Sequence, residues 1–322
     1  MNVAILGAGN IAVMMAQALN GLDDSVGAYA VASRERNRAE QFAREHHIQK
    51  AYGSYLELVE DEKVDLVYIA TPHSHHYEHA RLCLEHGKAV LCEKAFTMNR
   101  DQAQELIDLA EKKGLLLTEA IWTRYMPSRI MLQELLEQQV IGKVTSLHAN
   151  LGYPMLHKER LCKPELAGGA LLDVGIYPLN FASMVFGNEV ERIEGTCTKL
   201  GTGVDSQDSI TLIYKDGRMA HLFASMLAAT DRAGLIFGED GYIQVQNINN
   251  CEEIRVYRGY TLVQRLEVPE QINGYEYEVL ACREALEKGW TECPQMPHSE
   301  TLRMMEWMDT LREIWGIRYP GE

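Results

Sequence analysis

The chain has 322 residues, of which 46% are hydrophobic and 24% charged, and a net charge of −15. That length allows two domains and a core large enough to need neither disulfides nor metal, and the acidic balance excludes nucleic acid as the main partner, because a phosphate binder needs a basic surface. The seven scattered cysteines form no CxxC pair and fit reduced thiols in a cytoplasmic protein, the N-terminus lacks the charged region of a signal peptide, and no apolar run is expected to reach the length of a membrane span.

"VAILGAGNIAVMMAQAL" opens the chain. Val3, Ile5 and Leu6 predict a strand, and Ile11, Met14, Met15 and Ala18 repeat at helical spacing. Between them lies Gly7-Ala8-Gly9-Asn10-Ile11-Ala12, the GxGxxA form of the dinucleotide fingerprint. Gly7 permits a tight turn and Gly9 lets the backbone approach a pyrophosphate. The helix that begins at Asn10 and Ile11 aims its amides at that anion. The alternation continues: strand "GAYAVAS" and helix "RNRAEQFAREH", strand "VDLVYIATP" and helix "SHHYEHARLCLEHG", strand "KAVLCEK" and helix "NRDQAQELIDLAEKKG", and a last strand "LLLTEA". This order predicts an α/β domain with a parallel sheet covered on both faces.

The end of the second strand bears on cofactor choice. A carboxylate there holds the ribose 2′-hydroxyl of NAD. This chain has Ala32-Ser33-Arg34 instead, with Arg38 one helical turn further on. Arginine forks match phosphate oxygens, so Ser33, Arg34 and Arg38 read as a 2′-phosphate site, hence NADP, with NAD the alternative. Two exposed charges at a helix start would explain the same arginines, and Glu35 competes for them.

"TPHSHHYEHA" places four histidines within seven positions. His75 and His79 share a helix face, a spacing that can hold zinc. The stretch follows a strand at the C-terminal edge of the parallel sheet, where ligands lie in such folds. Thr71 and Pro72 are expected to line the cofactor, and His73 to His76 to form the loop and first turn. A third metal ligand is lacking, since Glu78 is expected to point elsewhere, and no metal site is expected.

"AILGAGNIA", "ATPHSHHYEHA", "VLCEKAFTMN" and "GGALLDVGIYPLNFASMVFG" together resemble the Gfo/Idh/MocA oxidoreductases, in order and over nearly the whole chain. "EAIWTRYMPS" and the DxGxY arrangement bring the chain nearest the dihydrodiol dehydrogenase-like branch. The resemblance implies a Rossmann domain over 1–120 and a substrate-binding and oligomerisation domain over 121–322, with a large, open, mainly antiparallel sheet. The last helix is allowed to pack back on the first domain. The family segment T-P-N-x-x-H puts His76 on the final histidine and His73 in place of Asn. The histidine cluster then reads as cofactor-loop polarity plus exposed helix residues.

The resemblance also places the chemistry. Glu93 and Lys94 fall on the family's E-K-P motif, whose lysine contacts the reacting hydroxyl or carbonyl. Ala95 stands where that motif has proline, which removes the usual basis for a cis bond there. Asp173 and Tyr177 are four apart, so a helix would project both from one face. Most of the family has D-x-x-x-H. Tyrosine titrates near 10 and histidine near 6.5, so a tyrosine acid–base group needs a neighbouring cation, a role for Lys94 that Asp173 would orient. Taken alone, a strand-end lysine and an i,i+4 Asp/Tyr pair are ordinary surface contacts.

Trp122, Arg124 and Tyr125 follow the last parallel strand, where the family's crossover borders the substrate pocket. Trp122 and Tyr153 offer flat apolar walls to a ring, with core packing an equal reading for either. "SITLIYKDGRMAHLFASMLAAT" predicts a hairpin turning at Lys215-Asp216-Gly217. The large sheet is apolar on both sides, so one face is expected to take helices at 169–186 and 275–289, and the other a second copy in a homodimer or higher oligomer. Leu302, Met305, Trp307 and Met308 read as packing of the final helix. The reaction expected is hydride transfer between a nicotinamide and a small polyol, sugar or dihydrodiol. An NAD-dependent glycosidase of the same fold and a non-catalytic cofactor sensor are the alternatives.

Overall fold

A computed structural model describes all 322 residues and divides into two compact units, one of residues 1–125 and 271–302, the other of 126–270 and 303–322. The first unit holds six parallel strands: β1 (Asn2–Leu6), β2 (Gly27–Ala32), β3 (Lys50–Tyr52), β4 (Leu66–Ile69), β5 (Ala89–Glu93) and β6 (Leu117–Ala120). Their order is β3-β2-β1-β4-β5-β6. Five helices connect them: α1 (Asn10–Gly21), α2 (Arg36–Glu45), α3 (Tyr55–Val59), α4 (His76–Glu85) and α5 (Arg100–Lys113). Every residue of β4, β5 and β6 is buried, as in a sheet covered on both faces. The chain runs outward from β1 to β3 and then returns to β4. The reversal beside β1 makes the switch point at which open α/β sheets bind ligands.

β3 and α3 have no counterpart in the sequence reading. They are three and five residues long, too short to show a period. α5 ends as its sequence dictates: the Asn99 side chain accepts from Gln102 N at the start, and Gly114 closes it in the left-handed region at φ 65°.

The second unit begins with α6 (Pro127–Glu137) and β7 (Val144–Gly152). A π-helical turn at Leu171–Gly175 leads into α7 (Ile176–Phe186). Then come β8 (Val190–Lys199), β9 (Asp205–Tyr214), β10 (Met219–Ser225), β11 (Gly234–Gly238), β12 (Gly241–Val245), β13 (Glu253–Arg258) and β14 (Thr261–Glu267). They form an eight-stranded sheet in the order β14-β13-β12-β11-β7-β10-β9-β8. All pairs are antiparallel except β7 with β10. The hairpin of β9 and β10 turns at Gly217, whose φ is 87°.

α7 covers one face of this sheet against β7 and β10. Gly234 makes room for it, since a Cβ there would sit 2.5 Å from the Phe181 ring. The helical stretch 164–186 is long and apolar enough to cross a membrane, which corrects the expectation that no such run exists. Most of it is buried in the unit, which accounts for its being apolar all round.

Two helices complete the chain, α8 (Glu276–Lys288) and α9 (His298–Trp315). The sequence reading puts α8 over the large sheet. It belongs to the first unit instead and packs on α1. The cover of β8 comes from the end of α9: a Cβ at Gly195 would lie 2.9 Å from Leu311 and 3.3 Å from Trp315. Met305, Trp307 and Met308 are buried packing residues, and Leu302 is only half-buried. The sheet face away from α7 carries His148, His221, Phe223 and Phe237. The His148 ring stands edge-on to both His221 and Phe237, with centroids 5.2 Å apart in each case.

Candidate functional site

In the first unit the glycine turn has the shape its sequence requires. Gly7 lies at φ +107°, and a Cβ on it would meet the Ala70 carbonyl oxygen at 2.9 Å. Gly9 is the N-cap of α1, with no side chain capping the helix and no acid in its first turn. Nothing lies within 4 Å of where a Gly9 Cβ would be. The amides at Asn10 and Ile11 therefore begin a helix whose positive end is open to an anion. This turn fits a dinucleotide pyrophosphate.

Ser33 is buried at the end of β2. Its amide donates to Tyr52 O at 3.2 Å and its Oγ accepts from Glu35 N at 3.4 Å. The two arginines differ. Arg38 donates to Ala8 O at 2.8 Å and so ties α2 to the glycine turn. Arg34 is exposed and takes part in no ion pair, and the Glu35 carboxylate pairs with neither arginine. It is Arg36 that pairs, with Glu40 and Glu57. Arg34 is the guanidinium available to a 2′-phosphate.

The histidines separate into individual contacts. His73 and His76 are buried, with centroids 5.8 Å apart. His76 Nδ1 lies 2.8 Å from Ala95 O and its Nε2 2.7 Å from Thr71 O. A neutral ring has one N–H for these two carbonyls, and a protonated ring has two. His79 faces Thr71 Oγ1 at 3.0 Å and the edge of Tyr55 at 4.7 Å. Burial lowers its pKa to about 4, so its ring is neutral at physiological pH. These placements correct the reading of exposed helix residues: even His75, in the turn before α4, is half-buried. They also correct Glu78, whose carboxylate reaches His75 Nδ1 at 2.9 Å. No three His, Cys, Asp or Glu side chains are grouped to hold a metal ion.

The segment after β5 is gripped atom by atom. Tyr68 OH, fully buried, donates to Glu93 Oε1, and Glu93 Oε2 accepts from Lys94 N at 3.2 Å. His76 meets Ala95 O as above. Phe96 N donates to Glu119 Oε1 at 3.2 Å. The Lys94–Ala95 peptide is cis although Ala95 replaces the expected proline.

Trp122 and Arg124 occupy interior positions. Trp122 stacks on Tyr275 with centroids 4.5 Å apart, and both rings are buried. Arg124 is 4% exposed and its guanidinium bonds Glu300 at 2.9 Å. Opening this internal ion pair would strand a buried charge, so it holds the Arg124 guanidinium in place.

In the second unit Asp173 lies in the π-helical turn and Tyr177 in the first turn of α7, both buried. The π geometry replaces the plain helix expected there, and such bulges recur at functional sites. The sequence reading missed Arg160. It stands in a one-turn 3-10 helix after β7, Glu159–Cys162, about two-fifths exposed, and bonds Asp173 Oδ1 at 2.8 Å. No motif marks it, since the contact spans 13 positions of non-periodic chain. Tyr153 accepts from Asn249 Nδ2 at 3.0 Å and faces the Arg232 guanidinium at 5.8 Å.

Residues 1–121 match the model of an oxidoreductase family with an NAD-binding Rossmann fold, and residues 130–244 match the GFO/IDH/MocA C-terminal domain. The chain belongs to the Gfo/Idh/MocA oxidoreductase family. It is 36% identical over 304 residues to the trans-1,2-dihydrobenzene-1,2-diol dehydrogenase of Mus musculus, covering 91% of this chain and 90% of that one. The Homo sapiens enzyme of the same name is 36% identical over 300 residues, with 91% and 90% covered. Among solved structures, a 3-ketoreductase from Actinomadura kijaniata in complex with NADP and TDP-benzene superposes with a TM-score of 0.89 at 25% identity, covering 97% of each chain. The aldose–aldose oxidoreductase of Caulobacter crescentus, at 20% identity and a TM-score of 0.87 over 97% and 96% of the two chains, shares the fold.

In this Gfo/Idh/MocA chain Glu119 is the buried acid that holds the turn after Lys94. Burial raises its pKa from 4.5 to about 7 against the opposing pull of Thr301 and Arg124. A raised carboxyl pKa contributes stability that is full below the unfolded value and is lost as pH rises through the folded one. The wild-type protein should therefore lose stability between about pH 4.5 and pH 7 relative to Glu119→Gln. Urea midpoints of both proteins across that range measure the difference, and parallel curves would remove Glu119 as its source.

Proposed function

We propose that this protein is an NADP-dependent dehydrogenase or reductase acting on the hydroxyl or carbonyl of a dihydrodiol, sugar or polyol, with NAD as the weaker cofactor. The observation that carries the reading is the match to dihydrodiol dehydrogenases along 91% of the chain. The open glycine turn, the unpaired Arg34 and the buried Asp173 and Tyr177 support it.

Gly7, Gly9, Asn10 and Ile11 would hold the pyrophosphate, Ser33, Arg34 and Arg38 the 2′-phosphate, and Thr71, Pro72, His73, His76 and Glu93 the nicotinamide side. When bound, the nicotinamide accepts the hydride from a carbinol carbon or returns it to a carbonyl. Tyr177 takes the hydroxyl proton in oxidation and gives it back in reduction. A tyrosine acid–base group needs a cation that favours the phenolate, the role we assign to Lys94, and within the second unit Asp173 is held by Arg160. Trp122 in the first unit and Tyr153 in the second each offer a flat surface to a ring substrate.

The net charge of −15 supports a small-molecule substrate over nucleic acid. All seven cysteines are free, which supports a reducing, cytoplasmic setting. The aromatic face of the large sheet supports a homodimer or higher oligomer. Sedimentation at micromolar concentration should give at least twice the chain mass, and a monomer would end the proposal.

Two substitutions test the chemistry. Tyr177→Phe should lower turnover by about 10²–10⁴-fold, the weight of a general acid–base group, while NADPH binding by fluorescence stays unchanged. Near-normal turnover would remove Tyr177 from the mechanism. Arg34→Ala should raise the KM for NADP by about tenfold or more, one charge-assisted hydrogen bond, and leave that for NAD unaltered. Equal effects on both cofactors would locate the 2′-phosphate elsewhere.

A further inference from the structure

Two carboxyl groups with no basic partner lie beneath the helix that carries Asp173 and Tyr177. Asp205 and Asp208, on β9, are both 0% exposed and in no ion pair. Asp205 Oδ2 accepts from Leu171 N at 2.5 Å, at the entry to the π-helical turn, and the same carboxylate also takes the Ala170 amide. Gly169 lets it in, because a Cβ there would collide with Asp205 Oδ1. Asp208 Oδ2 lies 3.5 Å from where a Gly175 Cβ would be, at the other end of the turn.

The remaining oxygens lack donors. Asp205 Oδ1 and both oxygens of Asp208 are sealed from water and have no hydrogen-bond partner in the structure. The two carboxyls stand three positions apart on β9 and act on each other. Two adjacent buried carboxylates with no cation beside them cannot both be ionised in the interior, and one shared proton resolves this. The amides of Ala170 and Leu171 favour charge on Asp205, and nothing favours it on Asp208.

We infer that Asp208 retains its proton and donates it to Asp205, and that Asp205, held as the charged member, positions the turn bearing Asp173 and Tyr177. Burial raises both acids, and the charge of Asp205 raises Asp208 further. Tyr319 and Cys197, both neutral in their ordinary state, also interact with the pair. Tyr319 OH donates to Gly168 O at 2.8 Å and so secures the same entry from a second side. The positioning role rests on the proposed catalytic reading of Asp173 and Tyr177. The proton assignment does not.

The test combines infrared spectra with kinetics on the full chain. Above neutral pH the wild type should show a protonated-carboxyl carbonyl band that Asp208→Asn lacks. An unchanged band in this variant would overturn the assignment. The side-chain amide that Asp208→Asn introduces also donates to Asp205, so the variant should keep turnover close to wild type. Asp208→Ala, with no donor, should lose turnover by about tenfold or more, the weight of one buried hydrogen bond, at unchanged KM for NADP. Equal impairment of both variants, or of neither, would overturn the positioning role. If Asp208→Ala does not fold, Asp205→Asn replaces it: comparable loss supports the role and wild-type turnover overturns it. Normal turnover of Tyr177→Phe beside a lost band in Asp208→Asn would end the catalytic reading and leave the proton where it is placed.

Discussion

Buried backbone amides and carbonyls need partners, and regular structure stops supplying them where a strand or helix ends. In this protein those ends are where the candidate functional residues sit, so side chains take over. His76 meets the carbonyls of Thr71 and Ala95, and Glu119 takes the amide of Phe96. In the second unit Asp205 takes the amide of Leu171. Each of these side chains is ionisable and buried, an expensive choice that an apolar residue cannot replace, because only a polar atom satisfies the backbone. The position of Lys94, and of Asp173 and Tyr177, follows from these bonds.

Neighbouring residues of one type divide the work by what already engages them. Arg38 spends a hydrogen bond on Ala8 and fixes the glycine turn, whereas Arg34 stays unengaged at the surface. Arg124 is locked to Glu300 inside the first unit, whereas Arg160 holds Asp173 with one nitrogen and keeps much of its guanidinium in solvent. A guanidinium in an internal pair stabilises the fold only as long as it stays there. One that is partly free can meet a ligand.

The first unit was legible in the sequence because its signals are local. Continuous apolar runs mark doubly covered strands, and GxGxxA between a strand and a helix marks the turn. The second unit was legible mainly through its resemblance to a family. Its helix 164–186 is apolar all round, which says that it is buried but not against what. α8 is amphipathic, and an amphipathic face does not name the surface that it covers, so its place on α1 was hidden. The Arg124–Glu300 pair joins positions 176 apart, and Arg160–Asp173 crosses an irregular segment. Pairings of that kind have no period to betray them. The histidine run misled in a related way: four similar residues in sequence suggested one site, but His73 and His76 turn inward, with His76 meeting the Thr71 and Ala95 carbonyls, whereas His75 and His79 meet Glu78.

Asp173 and Asp208 show how far a partner decides what a residue is. Both are buried aspartates next to the same turn. Asp173 has a guanidinium at 2.8 Å and is held as a carboxylate. Asp208 has only another acid beside it, and burial pushes its pKa well up. Exchanging the two environments would exchange the two states, since the intrinsic acidity is the same and only desolvation and neighbouring charge differ. A charged acid can steady positive charge where a proton is passed. A neutral acid can donate a hydrogen bond where a backbone grip has to be kept. The turn therefore uses one residue type for two tasks, and the arginine supplied by a short 3-10 helix, Glu159–Cys162, is what separates them.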